Sequence, residues 1–592
     1  MDYKLKENTA NETLNERDHV KKYTLDDLEG CQEQQEVVYT VLQKLKEWTT
    51  FYDEKEKNPD ATFEPLLLTV NGAGGTGKTF IIKVILTCMK QIFPHVVVTI
   101  VCAPTGTAAY NIEGQTMHLS FGINVNAENK ELSIDKRAAL INMYKRILAI
   151  IVDERSMLSR EIFGATERNC RHTMHGGQNL NILFGGVPIV ILLGDDQQLP
   201  TVRIGEKGKG APNALEDSHT HNRNRNYVQQ NGMDMFLQFG KNVRELTVSK
   251  RVNEGNEDFK KILQNIRNGG VTQDEAKTLM NLHVRELPPY KQEWLKKNAL
   301  WVFATRKEKD NFNATRLREL VCPENPIANI KGQSARYNGG RAIQSHFDNS
   351  TFYPDTVLCR DERVEIKRNY KPKWGLYNGS IGTVRKIKFA QGKNPNKNDL
   401  PEYVLVDIDD YVGPQWSLTN KTLIPIPMAT MKCKFGCCEM KYCPLQPSFA
   451  RTIHTTQGRE VGPDKKIPAI VLDPGTHRFE TVNPGLLYSG VSRASGIGNG
   501  DPLHSSLFFT GIDICEERLT NVKYSKKATN GKKVLKGVEI RENWIEYLKT
   551  NTKQNTISEQ TRKELKEWAQ NTTIEVHELD EIIEEHNRNY IS

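Results

Sequence analysis

The sequence predicts an α/β protein built on parallel sheets, with a small β-barrel inserted in its second half. Three observations carry that expectation. The run at 66–70 is apolar, residues 71–79 form a glycine-rich turn, and 80–89 place apolar residues at helical spacing. Three more short apolar runs, at 96–101, 147–152 and 189–193, each end in polar residues. Those ends are Ala103-Pro104-Thr105-Gly106, Asp153-Glu154 and Gly194-Asp195. Short, evenly apolar strands are the mark of a parallel sheet covered on both faces, and such sheets bind ligands at their carboxyl ends. Finally, 355–449 contains short alternating segments, at 364–366, 381–384 and 403–408, separated by turn residues, which is the pattern of the barrel.

A chain of 592 residues is too long for one core, and 38% hydrophobic content supports globular domains rather than disorder. The formal net charge of +8 leans towards a polyanionic partner without requiring one. No apolar run reaches the length of a membrane span, so a membrane protein of helical type is not expected. Residues 1–30 mix acids with bases, unlike a secretory signal or an acid-poor presequence. Most of the eleven cysteines are scattered, as at Cys88 and Cys102, which fits a reducing compartment. The nucleus is the expected location, with an organelle as the alternative.

Ahead of the glycine turn, a helix pattern at 34–48 puts Val37, Val38, Val41, Leu42 and Leu45 on one face. Residues 202–230 are rich in Gly, Lys, Arg, Asn and His and read as a solvated loop. A second α/β pattern starts near Leu246, includes 300–304, and resumes at 467–472 and 507–509. The end of the chain carries a Leu565, Trp568, Ile574, Leu579 and Ile583 stripe and reads as a helical appendage.

The turn itself matches G-x-x-x-x-G-K-[ST], the phosphate-binding loop, in the strand–turn–helix setting that the motif requires. Gly72, Gly74, Gly75, Thr76 and Gly77 let backbone amides curl around phosphate oxygens at a helix N-terminus. Lys78 is placed to reach the β- and γ-phosphates of a nucleoside triphosphate, and Thr79 to ligate Mg²⁺. Asp153 would share that metal, while Glu154 would orient and deprotonate the attacking water. Asn396-Lys397-Asn398-Asp399 has the letters of a guanine-reading segment, but no apolar strand precedes it, so it reads as a turn.

Taken in order, these motifs resemble those of the Pif-type DNA helicases, superfamily-one, subgroup-B motors related to RecD. Residues 103–109, with Asn111, Gly114, Thr116, His118 and Phe121, are similar to the DNA-contacting motif Ia. Residues 153–157 resemble motif II, 194–200 motif III and 246–251 motif IV. Residues 452–458 resemble motif V and Val491-Ser492-Arg493 motif VI. The resemblance implies two RecA-like parallel-sheet domains, at 31–240 (with a small insertion near 118–142) and at 241–350 with 450–530. The barrel would occupy 351–449, a polar tail 1–30 and the appendage 531–592. ATP would lie between the motor domains, with single-stranded DNA across both.

By the same resemblance, Arg251 and Arg493 act as arginine fingers and Gln198 senses the γ-phosphate. Gln34 reads adenine, although the adjacent Gln35 leaves that register open. Pro104, Thr105, Gly106, His118, Phe121, Thr452, His454 and Gln457 contact DNA. The implied activity is an ATP-dependent DNA helicase, moving 5′ to 3′ on single strands, unwinding duplex DNA and working as a monomer. The alternative is a DNA-bound ATPase switch or scaffold that does not unwind. The chain departs from the family where motif V has Thr455-Thr456 in place of Lys-Ser and where Thr201 follows Pro200 in place of a second proline. Residues 161–180 match poorly.

Cys433, Cys437, Cys438 and Cys443 form one cysteine cluster, spaced C-x₃-C-C-x₄-C. It offers zinc ligands but lacks paired C-x₂-C halves, so reduced loop thiols are the competing reading.

Overall fold

The computed structural model describes residues 23–58, 61–124, 130–200, 227–249, 256–336, 354–394, 398–433, 436–498, 501–522, 532–554 and 556–591. Arg251, the barrel turn at 396–397 and most of the 202–230 loop lie outside them. The chain forms two compact units. Among the described residues, one is drawn from 23–282, 476–504 and 512–591, and the other from His283–Gly475 and Ser505–Gly511.

In the first unit, β1 (Leu66–Gly72), β2 (Thr99–Ala103), β3 (Gln115–Thr116), β4 (Ala149–Val152), β5 (Ile189–Gly194) and β6 (Val243–Leu246) make one parallel sheet. Their order is β3-β2-β4-β5-β1-β6. Every residue of β4 and β5 is buried, because successive side chains feed opposite faces. Ile189, Ile191 and Leu193 join one core with Val37, Val41 and Leu45 of the helix Gln32–Thr49 and Ile81 and Ile85 of Lys78–Ile92. Val190 and Leu192 join the other core with Phe163, Phe184, Phe236 and Phe239.

The charged C-terminal segment supplies both cores. Leu565, Ile574, Leu579 and Ile583 pack in the first, while Trp544 of the helix Lys532–Thr550 packs in the second. His586 stacks on Trp48 with ring centroids 4.7 Å apart, and Arg146 pairs with Asp580 at 2.5 Å. Residues 476–504, expected in the second motor domain, also belong to this unit.

The second unit holds a parallel sheet in the order β18-β7-β19-β20, made of β7 (Ala299–Phe303), β18 (Ala450–Thr452), β19 (Ala469–Asp473) and β20 (Leu507–Phe509). Among the described residues, the strands between β7 and β18 in sequence are all antiparallel. A short pair joins β8 (Ala328–Ile330) to β10 (Thr356–Leu358). Three strands run β15-β16-β9, from β9 (Gln333–Arg336), β15 (Ala429–Lys432) and β16 (Cys438–Tyr442). Five run β14-β13-β12-β11-β17, from β11 (Arg363–Ile366), β12 (Ile381–Lys388), β13 (Tyr403–Ile408), β14 (Leu423–Pro427) and β17 (Leu445–Pro447).

The expected barrel is therefore a set of antiparallel sheets. Among the described residues, β14 and β17 are edges that do not pair with one another. Pro425 and Pro427 in β14 and Pro447 in β17 remove the amides that closure would use.

Candidate active site

The carboxyl ends of β1, β4 and β5 bring the phosphate loop, the acidic pair and Gln198 to one edge of the first unit's sheet. Gly75 and Gly77 sit at φ +86° and +89°, a backbone that L side chains rarely adopt. A Cβ on Gly77 would lie 2.2 Å from Gln34 Nε2. Gln34 is buried and donates to the Thr76 carbonyl at 2.9 Å, so it braces the loop directly. Gln35 faces elsewhere, donating to the Leu28 carbonyl at 3.1 Å. Lys78 Nζ lies along the loop, donating to the carbonyls of Gly72 at 2.6 Å and Ala73 at 3.0 Å. Thr79 follows it in the first turn of the helix Lys78–Ile92.

Asp153 and Glu154 are both buried at the end of β4. Glu154 adopts φ +55°, and its backbone amide donates to Asp153 Oδ1 at 2.8 Å. Such strain in a non-glycine residue persists only where surrounding structure enforces it. Burial and the neighbouring Glu154 carboxylate push the Asp153 carboxyl up to about 6, against the opposing charge of Lys78. Glu154 Oε1 is buried and has no hydrogen-bond partner in the protein. An acid pair arranged in this way suits a divalent cation and an activated water.

A short helix, Leu486–Val491, closes the other wall. Arg493, just beyond its end, is buried and donates through Nη2 to Gln198 Oε1 at 3.1 Å. The Leu199 amide donates to Ser489 Oγ at 2.7 Å, and Arg541 Nη2 donates to the Gln198 carbonyl at 2.6 Å. Tyr488 donates to Asp195 Oδ2 at 2.8 Å. Burial raises the Asp195 carboxyl, but Arg267 (3.4 Å away), Lys78 and the Tyr488 and Gln197 hydrogen bonds outweigh it and hold it below its usual range. Gln198 and Arg493 thus meet beside the phosphate loop.

Sequence reasoning assigned no role to Arg267, Tyr488, Ser489 or Arg541. Tyr488 and Ser489 had a weak signal, since they lie just ahead of the Val491-Ser492-Arg493 motif. Arg267 belongs to an ordinary amphipathic helix, Glu257–Asn268, and carried none.

The expected DNA-contacting residues belong to different units. In the first, Thr105 caps the helix Gly106–Asn111 by accepting from the Ala108 amide at 3.3 Å, with Pro104 and Gly106 on either side partly exposed. His118 is partly exposed, whereas Phe121 is 1% exposed and belongs to the hydrophobic core. Phe121 therefore supports the wall from within and presents no ring to a strand of DNA. In the second unit Thr452 ends β18, and Thr455 Oγ1 donates back to its carbonyl at 2.9 Å. Gln457 is buried. Burial, aided by the Arg306 charge, pushes His454 down to about 4, so its ring is neutral at pH 7. Arg451 and Arg459 anchor this segment by donating to the Gly379 carbonyl at 3.2 and 2.9 Å.

Cys433, Cys437 and Cys438 come together, with their sulfurs within 4.8 Å of one another. Cys443 does not join them; it is buried among the apolar residues of the antiparallel sheets.

Residues 58–277 match the family model described as PIF1-like helicase. Over that stretch the chain is similar to the Pif-type helicases. ATP-dependent DNA helicase PIF7 of Trypanosoma brucei brucei is 24% identical over 472 residues, 72% of this chain and 44% of that protein. ATP-dependent DNA helicase RRM3 of Saccharomyces cerevisiae is 27% identical over 325 residues, 53% of this chain and 39% of that protein. The chain thus spans about two-fifths of the length of these curated relatives. Among solved structures, Pif1 helicase from Candida albicans superposes with a TM-score of 0.56 at 18% identity, covering 86% of this chain and 98% of that one. Bacteroides Pif1 bound to ssDNA gives 0.53 at 21% identity, covering 84% and 95%. These structural likenesses show the Pif-type fold, with its RecA-like parallel sheet and accompanying antiparallel sheets.

Proposed function

We propose that this chain is an ATP-driven motor that moves 5′ to 3′ on single-stranded DNA and separates duplex strands. One observation carries the reading: the phosphate loop, the Asp153–Glu154 pair and the Gln198–Arg493 contact converge at one sheet edge. The polarity and the DNA substrate rest on the family resemblance.

The residues divide the work as follows. Loop amides and Lys78 take the β- and γ-phosphate oxygens, Lys78 exchanging two carbonyl partners for charged ones. Thr79 and Asp153 are the residues that would hold Mg²⁺, which neutralises charge on those oxygens. Glu154 Oε1 accepts the proton of the attacking water. Arg493 turns from Gln198 towards the γ-phosphate, and Gln198 reports its presence through Arg493, and through the adjacent Leu199 amide on Ser489, to the helix Leu486–Val491. Arg251 takes the second finger position, and Gln34 the place beside the adenine. Thr105, Thr452 and nearby amides contact DNA phosphates without regard to sequence, as translocation requires.

The test is ATP hydrolysis measured with and without single-stranded DNA. We expect DNA to stimulate turnover in the native chain and Lys78→Ala to abolish it. Turnover indifferent to DNA, or unchanged in Lys78→Ala, contradicts the reading.

A further inference from the structure

The turn between β15 and β16 gathers sulfur in a way the motor chemistry does not use. Cys433 follows β15 directly and Cys438 begins β16. The Cys433 amide donates to the Cys438 carbonyl at 2.9 Å, which closes the turn. Gly436 sits at φ +69°, and its amide donates to the Cys433 carbonyl at 3.0 Å. That bend keeps Cys437 out of the strand alternation that would point it away from Cys438. Its sulfur returns to 3.7 Å from Cys433 Sγ and 3.4 Å from Cys438 Sγ.

We propose that Cys433, Cys437 and Cys438 bind one soft d¹⁰ cation, Zn²⁺ or Cu⁺, through three thiolates. Zinc–sulfur bonds of about 2.3 Å in a tetrahedron place sulfurs about 3.8 Å apart, close to the spacing found here. The surroundings select a soft ion. Met431 and Met440 are cross-strand partners, and both pack with Cys433 and Cys438 in a small sulfur-rich cluster. Among the described residues no carboxylate or imidazole joins the three sulfurs, as a hard cation such as Mg²⁺ would require. Cys433 and Cys438 are buried and hold the inner side, while the exposed Cys437 gives the ion an entry path. Binding replaces three S–H protons, which pass to solvent, and involves no redox change. The bound ion would cross-link the two arms of the β15–β16 hairpin.

The test uses the full chain, purified under reducing conditions and titrated with Zn²⁺ or, without oxygen, with Cu⁺, followed by elemental analysis. We expect one equivalent of one of the two ions per chain, and the arm that fills identifies the ion. Cobalt(II) in its place should show thiolate-to-metal charge-transfer absorption. Cys437→Ser should weaken binding at least tenfold, while Cys322→Ser, at an exposed cysteine outside the cluster, should bind as the native chain does. Because Cys437 is exposed, its substitution should leave the DNA-stimulated ATPase intact, which checks folding. Failure to bind either ion stoichiometrically overturns the proposal. So does equal binding by Cys437→Ser, or a disulfide between two of the three cysteines in the freshly reduced protein.

Discussion

In the proposed mechanism Glu154 carries the proton transfer in one side chain. Its backbone is held at φ +55° and its Oε1 is buried without a protein partner. Replacing it with Gln keeps the shape but removes the proposed base, so kcat for ATP should fall by about 10²–10⁴-fold while nucleotide binding persists. Steady-state hydrolysis beside equilibrium nucleotide titration checks both halves. Glu362 offers a different test. It is fully buried, accepts from the Cys359 amide at 3.0 Å, and burial pushes its carboxyl up to about 8. The folded chain therefore keeps a proton that the unfolded chain releases at about pH 4.3. Stability from this group is full below that pH and is lost as pH rises to about 8, at up to about 1.4 kcal/mol per pH unit. Glu362→Gln should flatten the fall in Tm between pH 5 and pH 8 in thermal melts. At this scale the placing of Lys78, Thr79, Asp153 and Glu154 beyond the ends of β1 and β4 was legible, because their motif fixes both residue types and spacing. Arg267 and Arg541 were not, since their partners are backbone carbonyls or a carboxylate far away in sequence. Phe121 shows the converse, a motif position whose side chain the fold turns inward.

Among the elements, the helix Leu486–Val491 ties the site together. Glu480 accepts from the amides of Gly485, Leu486 and Leu487 at 2.9, 3.0 and 2.8 Å, filling the helix N-terminus with a carboxylate. Glu480→Ala leaves those buried amides unpaired, at about 1–3 kcal/mol for each one left unsatisfied. Tm should drop, and ATPase should fall with it because Tyr488, Ser489 and Arg493 lose their anchor. The helices Arg160–Arg171 and Tyr227–Phe239 give a second test. A Cβ on Gly232 would lie 2.0 Å from the Arg160 carbonyl, and one on Gly164 1.9 Å from that of Val228. Gly232→Ala gains about 1 kcal/mol of helix propensity but forces the backbones apart, a cost of about 1–3 kcal/mol or more. Denaturant unfolding should show net destabilisation. The parallel strands were legible because a strand buried on both faces has to be apolar throughout. Closure of the barrel was not, since prolines on β14 and β17 act only once the strand order makes those two the edges.

For the whole molecule, the two units divide the chain in a way that local patterns hide. Residues 476–504 and the C-terminal helices return to the sheet that carries the phosphate loop. The cores show why: Leu579, Ile583 and Trp544 fill faces that earlier helices leave open. A stripe of apolar residues reveals that a helix packs, but not what it packs against. No helix among the described residues is long and apolar enough to cross a membrane. The motor reading requires that nucleotide chemistry at the first unit be spent on moving DNA. Strand separation on a duplex with a 5′ single-stranded tail, run with Mg²⁺ and ATP beside a 3′-tailed duplex and the Lys78→Ala chain, tests that most directly. The account predicts that the native chain opens the 5′-tailed duplex alone and that Lys78→Ala opens neither. ATP hydrolysed on single strands while both duplexes stay intact would contradict it.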